Sequence, residues 1–238
     1  MAGSSQKGKT KLDVSVQHEC LPNLLPREIW SSIAIMVASN SIQDQFNMKA
    51  SCRLFASACN SDAVYRYSLV SMLPISCFLD YSGRPAMTFL RRCATTQNLA
   101  ALLRVGMAHL FWCGHRRGGI QTLTVAAELG DVEACYISAM LLLSLGDKDE
   151  DEICHGFEFF GLVRESSAVE SCREVFTQVF MGPWSEIPPA VPEEPVSCRS
   201  SSCRTRGTME DASDLSSVSC VQCLAEYEVR KFLGTVYV

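Results

Sequence analysis

Gly106-Met107-Ala108-His109-Leu110-Phe111, a glycine-rich turn over Gly114–Gly119, and then Ala126-Ala127-Glu128-Leu129-Gly130-Asp131-Val132-Glu133-Ala134 form the stretch on which the fold turns. Glycine and alanine recur where two helices would touch, and the glycine-rich turn between them predicts a helix pair. Shifting the sequence by 33 residues sets Ala101 on Ala134, Gly106 on Ala139, Met107 on Met140, Leu110 on Leu143, Ile120 on Ile153 and Leu129 on Leu162. A period in the 20–50 range is the mark of stacked helical units. One helix pair cannot cover its own apolar stripe, so neighbours must stack on it, and helices running to about Phe180 would supply that cover. Residues 69–182 are expected to form such a helical-repeat region.

Upstream, Leu21-Pro22-Asn23-Leu24-Leu25-Pro26-Arg27-Glu28-Ile29-Trp30 places a proline at the start of a helix, where its missing N–H costs no bond. Ile29, Ile33, Met36 and Val37 follow at three- and four-residue spacing, giving one apolar stripe that can face a core or a partner. Ser39-Asn40-Ser41 ends that helix. Ile42 to Ala58 and then Val64, Tyr65 and Leu69 continue the pattern, so short helices are expected. Residues 20–68 resemble an F-box on these positions, together with Ile42 and the run Asn47-Met48-Lys49-Ala50-Ser51-Cys52-Arg53-Leu54-Phe55. Phe55 stands where most F-boxes carry Trp, and Ser51-Cys52-Arg53 replaces the usual Val-Cys-Lys. The resemblance implies that Leu21, Pro22, Leu25, Pro26, Ile29, Ile33, Ile42 and Met48 meet a Skp-type adaptor and, through it, a cullin.

Composition narrows the class. The chain has 238 residues, 47% hydrophobic and 20% charged, with a net charge of −5, which speaks against a surface that tracks phosphates. Ala139–Leu143 and Ile33–Ala38 are the longest apolar runs, far short of the ~20 residues that cross a bilayer. Neither nucleic acid nor a membrane is an expected partner. Residues 1–19 lack an apolar segment and read as a mobile leader, which places the chain in a reducing compartment, cytoplasm or nucleus. Nine of the 13 cysteines, Cys20 to Cys172, lie in apolar helical segments and are expected to pack as small hydrophobes.

Beyond Met181-Gly182-Pro183, prolines and serines predict a tail over residues 183–238 with one last short helix near Leu224–Phe232. Within it, Cys198-x4-Cys203 and Cys220-x2-Cys223 approach the spacing of a tetrahedral zinc site, and in a reducing compartment zinc is favoured over disulfides. Arg199, Arg204 and Arg206 would offset the charge of four thiolates. Four unrelated thiols in a tail remain the alternative. Two other metal-like patterns read as ordinary structure. Asp147, Asp149, Asp151 and Glu158 fit a calcium loop only until the glycine position, held here by Glu152. His109, Cys113 and His115 read as a packed Cys beside partly exposed histidines.

No catalytic signature occurs. The expected protein is all-α: a three-helix F-box followed by stacked helical hairpins and a largely irregular C-terminal tail. The helical unit of residues 106–134 resembles a Sel-like, tetratricopeptide-related repeat, and an F-box followed by such a pair and a Cys-containing tail resembles a group of plant F-box proteins. The resemblance implies a non-catalytic substrate-receptor subunit of an SCF-type ubiquitin ligase. A helical-repeat scaffold unconnected with a ligase is the alternative.

Overall fold

Pro26 is in an extended conformation and hands the chain to helix α1, Arg27–Asn40. Ser41, also extended, closes α1 and opens α2, Ile42–Ser51, its side chain accepting from the Asp44 N–H at 3.1 Å. The stretch Ile42–Ala58 is two helices: extended Cys52 breaks it into α2 and α3, Arg53–Cys59. A further short helix, α4 (Asp62–Tyr67), makes four where three were expected, because Asn60 and Ser61 form a turn between α3 and α4. These coordinates come from a computed structural model that describes residues 25–76, 84–144, 150–181, 203 and 220–236. The described residues are helices, turns and short connections.

Six helices then follow as three turn-linked pairs, the hairpins: α5 (Arg84–Thr95) and α6 (Leu99–Met107), α7 (Arg116–Glu128) and α8 (Val132–Ser144), and α9 (Glu150–Glu165) and α10 (Val169–Phe180); in the third, α9 packs mainly on α8, and α10 on α8 and the last helix. Each pair turns through one residue of positive φ, namely Gln97 at 63°, Gly130 at 93° and Ser167 at 56°, spaced 33 and 37 residues apart. The hydrogen bonds around the three turns are the same. Gln97, Gly130 and Ser167 donate three residues back, to Ala94, Ala127 and Arg164, while Asn98, Asp131 and Ala168 donate five residues back, to Cys93, Ala126 and Val163. This pattern satisfies carbonyls that a helix C-terminus would otherwise leave bare. Asn98 and Asp131 then cap the following helices by accepting from Ala101 and Ala134.

Burial obeys the same period. Ala101 and Ala134, Gly106 and Ala139, Met107 and Met140, and Leu110 and Leu143 are buried pair by pair; Ile120 and Ile153 are half-buried; Leu129 and Leu162 are exposed. Close approach recurs as well. A Cβ on Gly119 would lie 2.7 Å from Leu110, and a Cβ on Gly156 would lie 2.9 Å from Leu143, so both hairpin junctions close through glycine. Among the described residues this core runs from Leu102 through Phe111, Leu123, Tyr136, Met140, Phe160 and Phe176 to Phe180.

The last helix, α11 (Val221–Val236), is longer than the one expected near Leu224–Phe232 and packs on α8, α9 and α10. Phe232 meets Phe180 edge-on at 5.6 Å. Beneath it, buried Glu228 accepts from Arg173 Nε at 3.0 Å and from the Tyr136 hydroxyl at 3.4 Å. Burial and the carboxylate beside it push the Tyr136 phenol up, and the hydrogen bond to Glu228 holds Arg173 more firmly protonated.

Side chains from the first hairpin join the repeats to the N-terminal helices. Asn98 Nδ2 donates to the carbonyls of Tyr65, Arg66 and Ser68, and buried Arg104 donates to those of Ser71, Leu73 and Ala100. Carbonyls of a broken chain segment are thereby satisfied away from water. Four of the expected core cysteines, Cys59, Cys93, Cys135 and Cys172, are buried, and burial pushes the thiols of Cys93 and Cys172 up to about 12. Cys52 is half-buried, whereas Cys113 and Cys154 face solvent, contrary to expectation, Cys113 in the connection before α7 and Cys154 on the exposed side of α9; Cys20 and Cys77 lie outside the described residues.

Candidate functional site

Helix α1 turns its small residues inward. Ala34 and Ala38 are fully buried and form a small core with Ala58, Cys59 and Val64. At 100° per residue, Ile29, Ile33 and Met36 lie within about 60° of one another and roughly opposite those alanines. The large apolar side chains therefore point away from the N-terminal core: Ile29 is 45% exposed, Met36 65%, and Leu25, just before the helix, 43%. Alanine allows α1 to pack on α3 and α4, with Ile35 against the edge of that core and Ile29 and Met36 outside it. Trp30 stays half-buried by stacking obliquely on Phe55 at 4.8 Å between ring centres.

The expected docking residues are thus not equivalent. Leu25, Pro26 and Ile29 are exposed, and Ile33 is half-exposed on the same stripe. Ile42 and Met48 are half-buried, and Met48 rests on the alanine core, so much of its surface is already covered. Leu21 and Pro22 lie outside the described residues. Phe46 on α2 adds an exposed aromatic that the sequence reading did not single out, its ring 5.2 Å from Phe89 of α5. It follows Ile42 at four-residue spacing, an apolar position that was not among the expected docking residues.

The cysteines of the C-terminal part converge. The sulfurs of Cys203, Cys220 and Cys223 all lie within 4.8 Å of one another, with Cys203 and Cys223 at 3.3 Å. Cys198 lies outside the described residues. Of the packed Cys and partly exposed histidines expected at His109, Cys113 and His115, His109 is half-buried and His115 exposed, their imidazoles edge-on at 6.0 Å, while Cys113 is turned to solvent at the end of a π-helical turn over Ala108–Trp112. Burial, Arg91 and His115 together hold His109 below the usual imidazole range. Asp147 and Asp149 lie outside the described residues, and Asp151 sits with Glu150 and Glu152 in the first turn of α9, where negative charge favours the helix dipole.

Residues 74–181 match the family model for plant tetratricopeptide repeats. Two Arabidopsis thaliana proteins that carry the F-box name are similar to the chain. At1g67623 is 29% identical over 163 residues, which cover 68% of this chain and 50% of that protein. At2g35280 is 29% identical over 143 residues, 59% of this chain and 81% of its own length. The chain is thus similar to plant F-box proteins, and its middle part matches a plant repeat family. No solved structure matches it. The family segment begins just after the Val70–Met72 turn and ends one residue past α10, so it coincides with the three hairpins and the polar contacts that anchor them to α4. The repeat segment and α11 share one apolar core, α1–α4 keep a small core of their own, and Tyr65 of α4 packs with Leu90, Cys93, Ala101 and Val105 of the first hairpin.

Proposed function

We propose that this chain is a non-catalytic substrate-receptor subunit of an SCF-type ubiquitin ligase, in cytoplasm or nucleus. Its helices α1–α4 bind a Skp-type adaptor, and through it a cullin, and its three hairpins carry a target protein. The observation that supports this most is the outward stripe of Leu25, Ile29, Ile33 and Met36 opposite the Ala34–Ala38 seam. A monomer gains nothing by exposing such residues together, whereas a partner that buries them gains most of its affinity there. Asn98 and Arg104 hold the hairpins to the carbonyls of residues 65–73, so a target bound on the repeats would be held in a set direction relative to the adaptor.

Co-expression with a Skp-type adaptor followed by size-exclusion chromatography tests this reading. The wild-type chain is expected to co-elute with the adaptor. Leu25→Asp combined with Ile29→Asp removes co-elution while leaving the thermal midpoint of the free chain unchanged, since both residues are exposed. Failure of the wild type to co-elute, or unaltered co-elution of the double variant, overturns it.

A further inference from the structure

We infer that Cys203, Cys220 and Cys223 form a zinc site that clamps α11 onto the repeat core. The trio comes from two separate pieces of chain. Cys220 and Cys223 stand immediately before and in the first turn of α11, two residues between them, and Cys203 reaches them across a separation of 17 residues in sequence. Their sulfurs lie within 4.8 Å of one another. Three thiolates around one zinc at about 2.3 Å would stand about 3.8 Å apart, so the ion fits with sulfur movements of under about 1 Å. At 3.3 Å the Cys203 and Cys223 sulfurs are well beyond the bond length of about 2.05 Å for a disulfide.

The surroundings suit a structural metal. Cys203 and Cys223 are buried in the main core with Leu224, Ala225 and Phe232, and half-buried Cys220 packs against it. A donor set of thiolates alone in a reducing compartment selects zinc over calcium or magnesium, whose ligands are oxygens. Each thiol gives its proton to solvent as the ion enters, so uptake of one Zn²⁺ by three thiols releases three protons and leaves a centre of net charge −1. The N-terminus of α11 offers partial positive charge to that centre. One coordination position remains for a donor outside the trio.

The consequence is mechanical. The last helix packs on the repeat stack through α8, α9 and α10. A metal joining its first turn to Cys203 fixes the end of α11 farthest from the Phe180–Phe232 contact. The site is independent of adaptor binding, and its failure would leave the ligase reading as it stands.

The test uses the full chain, expressed with zinc in the medium and purified under reducing conditions. Inductively coupled plasma mass spectrometry is expected to find about one zinc per chain. Cobalt(II) in place of zinc gives thiolate-to-cobalt charge-transfer absorption in the near ultraviolet. Cys203→Ser and Cys223→Ser lose the metal, and Cys113→Ser, at an exposed position outside the trio, retains it. Should the buried variants fail to fold, half-buried Cys220→Ser and removal of zinc from the wild type by a chelator carry the same readout, both lowering the thermal midpoint. A metal-free wild type without cobalt–thiolate absorption overturns the proposal. So does a Cys203–Cys223 disulfide found by non-reducing mass spectrometry, or iron–sulfur absorption in the visible.

Discussion

Helices α1–α4 and the three hairpins solve the burial problem in opposite ways. In the hairpins the large side chains are inside: Tyr136, Phe160, Phe176, Leu103 and Met140 are fully buried, and glycine or alanine stands where backbones meet. In α1–α4 the shared core is alanine, cysteine and valine with Ile35 packed against it, while Ile29 and Met36 of α1 are outside. The first arrangement is complete without a partner. The second gains little from its own core, since burying methyl groups yields far less than burying whole Leu, Ile or Phe side chains at about 25 cal/mol per Å². The exposed side chains of α1 face outward, and the polar contacts of Asn98 and Arg104 join this region to the hairpins.

The contrast is most easily broken by paired truncations. Phe176→Ala, in the hairpin core between Tyr136 and Phe180, is expected to cost about 3–5 kcal/mol, and Ile29→Ala to stay within about 0.5 kcal/mol, in denaturant unfolding of the free chain. Comparable losses for the two would mean that the α1 stripe is covered within the monomer.

A smaller effect sharpens the role of the recurring turns. Gln97 adopts the left-handed conformation that Gly130 adopts at the equivalent turn. That conformation costs a side-chain-bearing residue about 1–2 kcal/mol, and glycine returns part of the difference through unfolded-state entropy. Gln97→Gly should therefore raise stability by about 0.5–1 kcal/mol in thermal unfolding. A loss would show that the Gln97 side chain is needed where the backbone comparison treats it as interchangeable.

The smallest effect concerns the cap of α8. Burial raises the Asp131 carboxyl above its ordinary value, against the Ala134 N–H and Arg104, and burial with Asp131 itself raises Glu133. A folded-state value above the unfolded one means that the folded chain holds these protons longer. Their contribution is complete below the unfolded value near about 4 and is lost as pH rises through the raised one. Asp131→Asn keeps an acceptor for the Ala134 N–H and removes one titration, so its stability should fall less between pH 4 and 7 than that of the wild type. An unchanged pH profile would place the titration elsewhere.

How far the sequence carried can be read at particular residues. The 33-residue shift paired Met107 with Met140 and Leu129 with Leu162, and their burial agrees pair by pair, because stacked units repeat the same environment. The interruption at Cys52 was not legible, since one extended residue between two helical stretches leaves the apolar period almost intact. Nor was Glu228, which in sequence is one more charged residue on an amphipathic helix and in the fold is the buried acceptor of Arg173 and Tyr136.

Local pattern determined the helices, their turns and the stripe on α1, because those depend on residues three and four apart. Which side of α1 would be covered, the convergence of Cys203 on α11 and the burial of Glu228 were decided by tertiary structure. They depend on contacts between residues 17 to 92 positions apart, about which local periodicity holds no information.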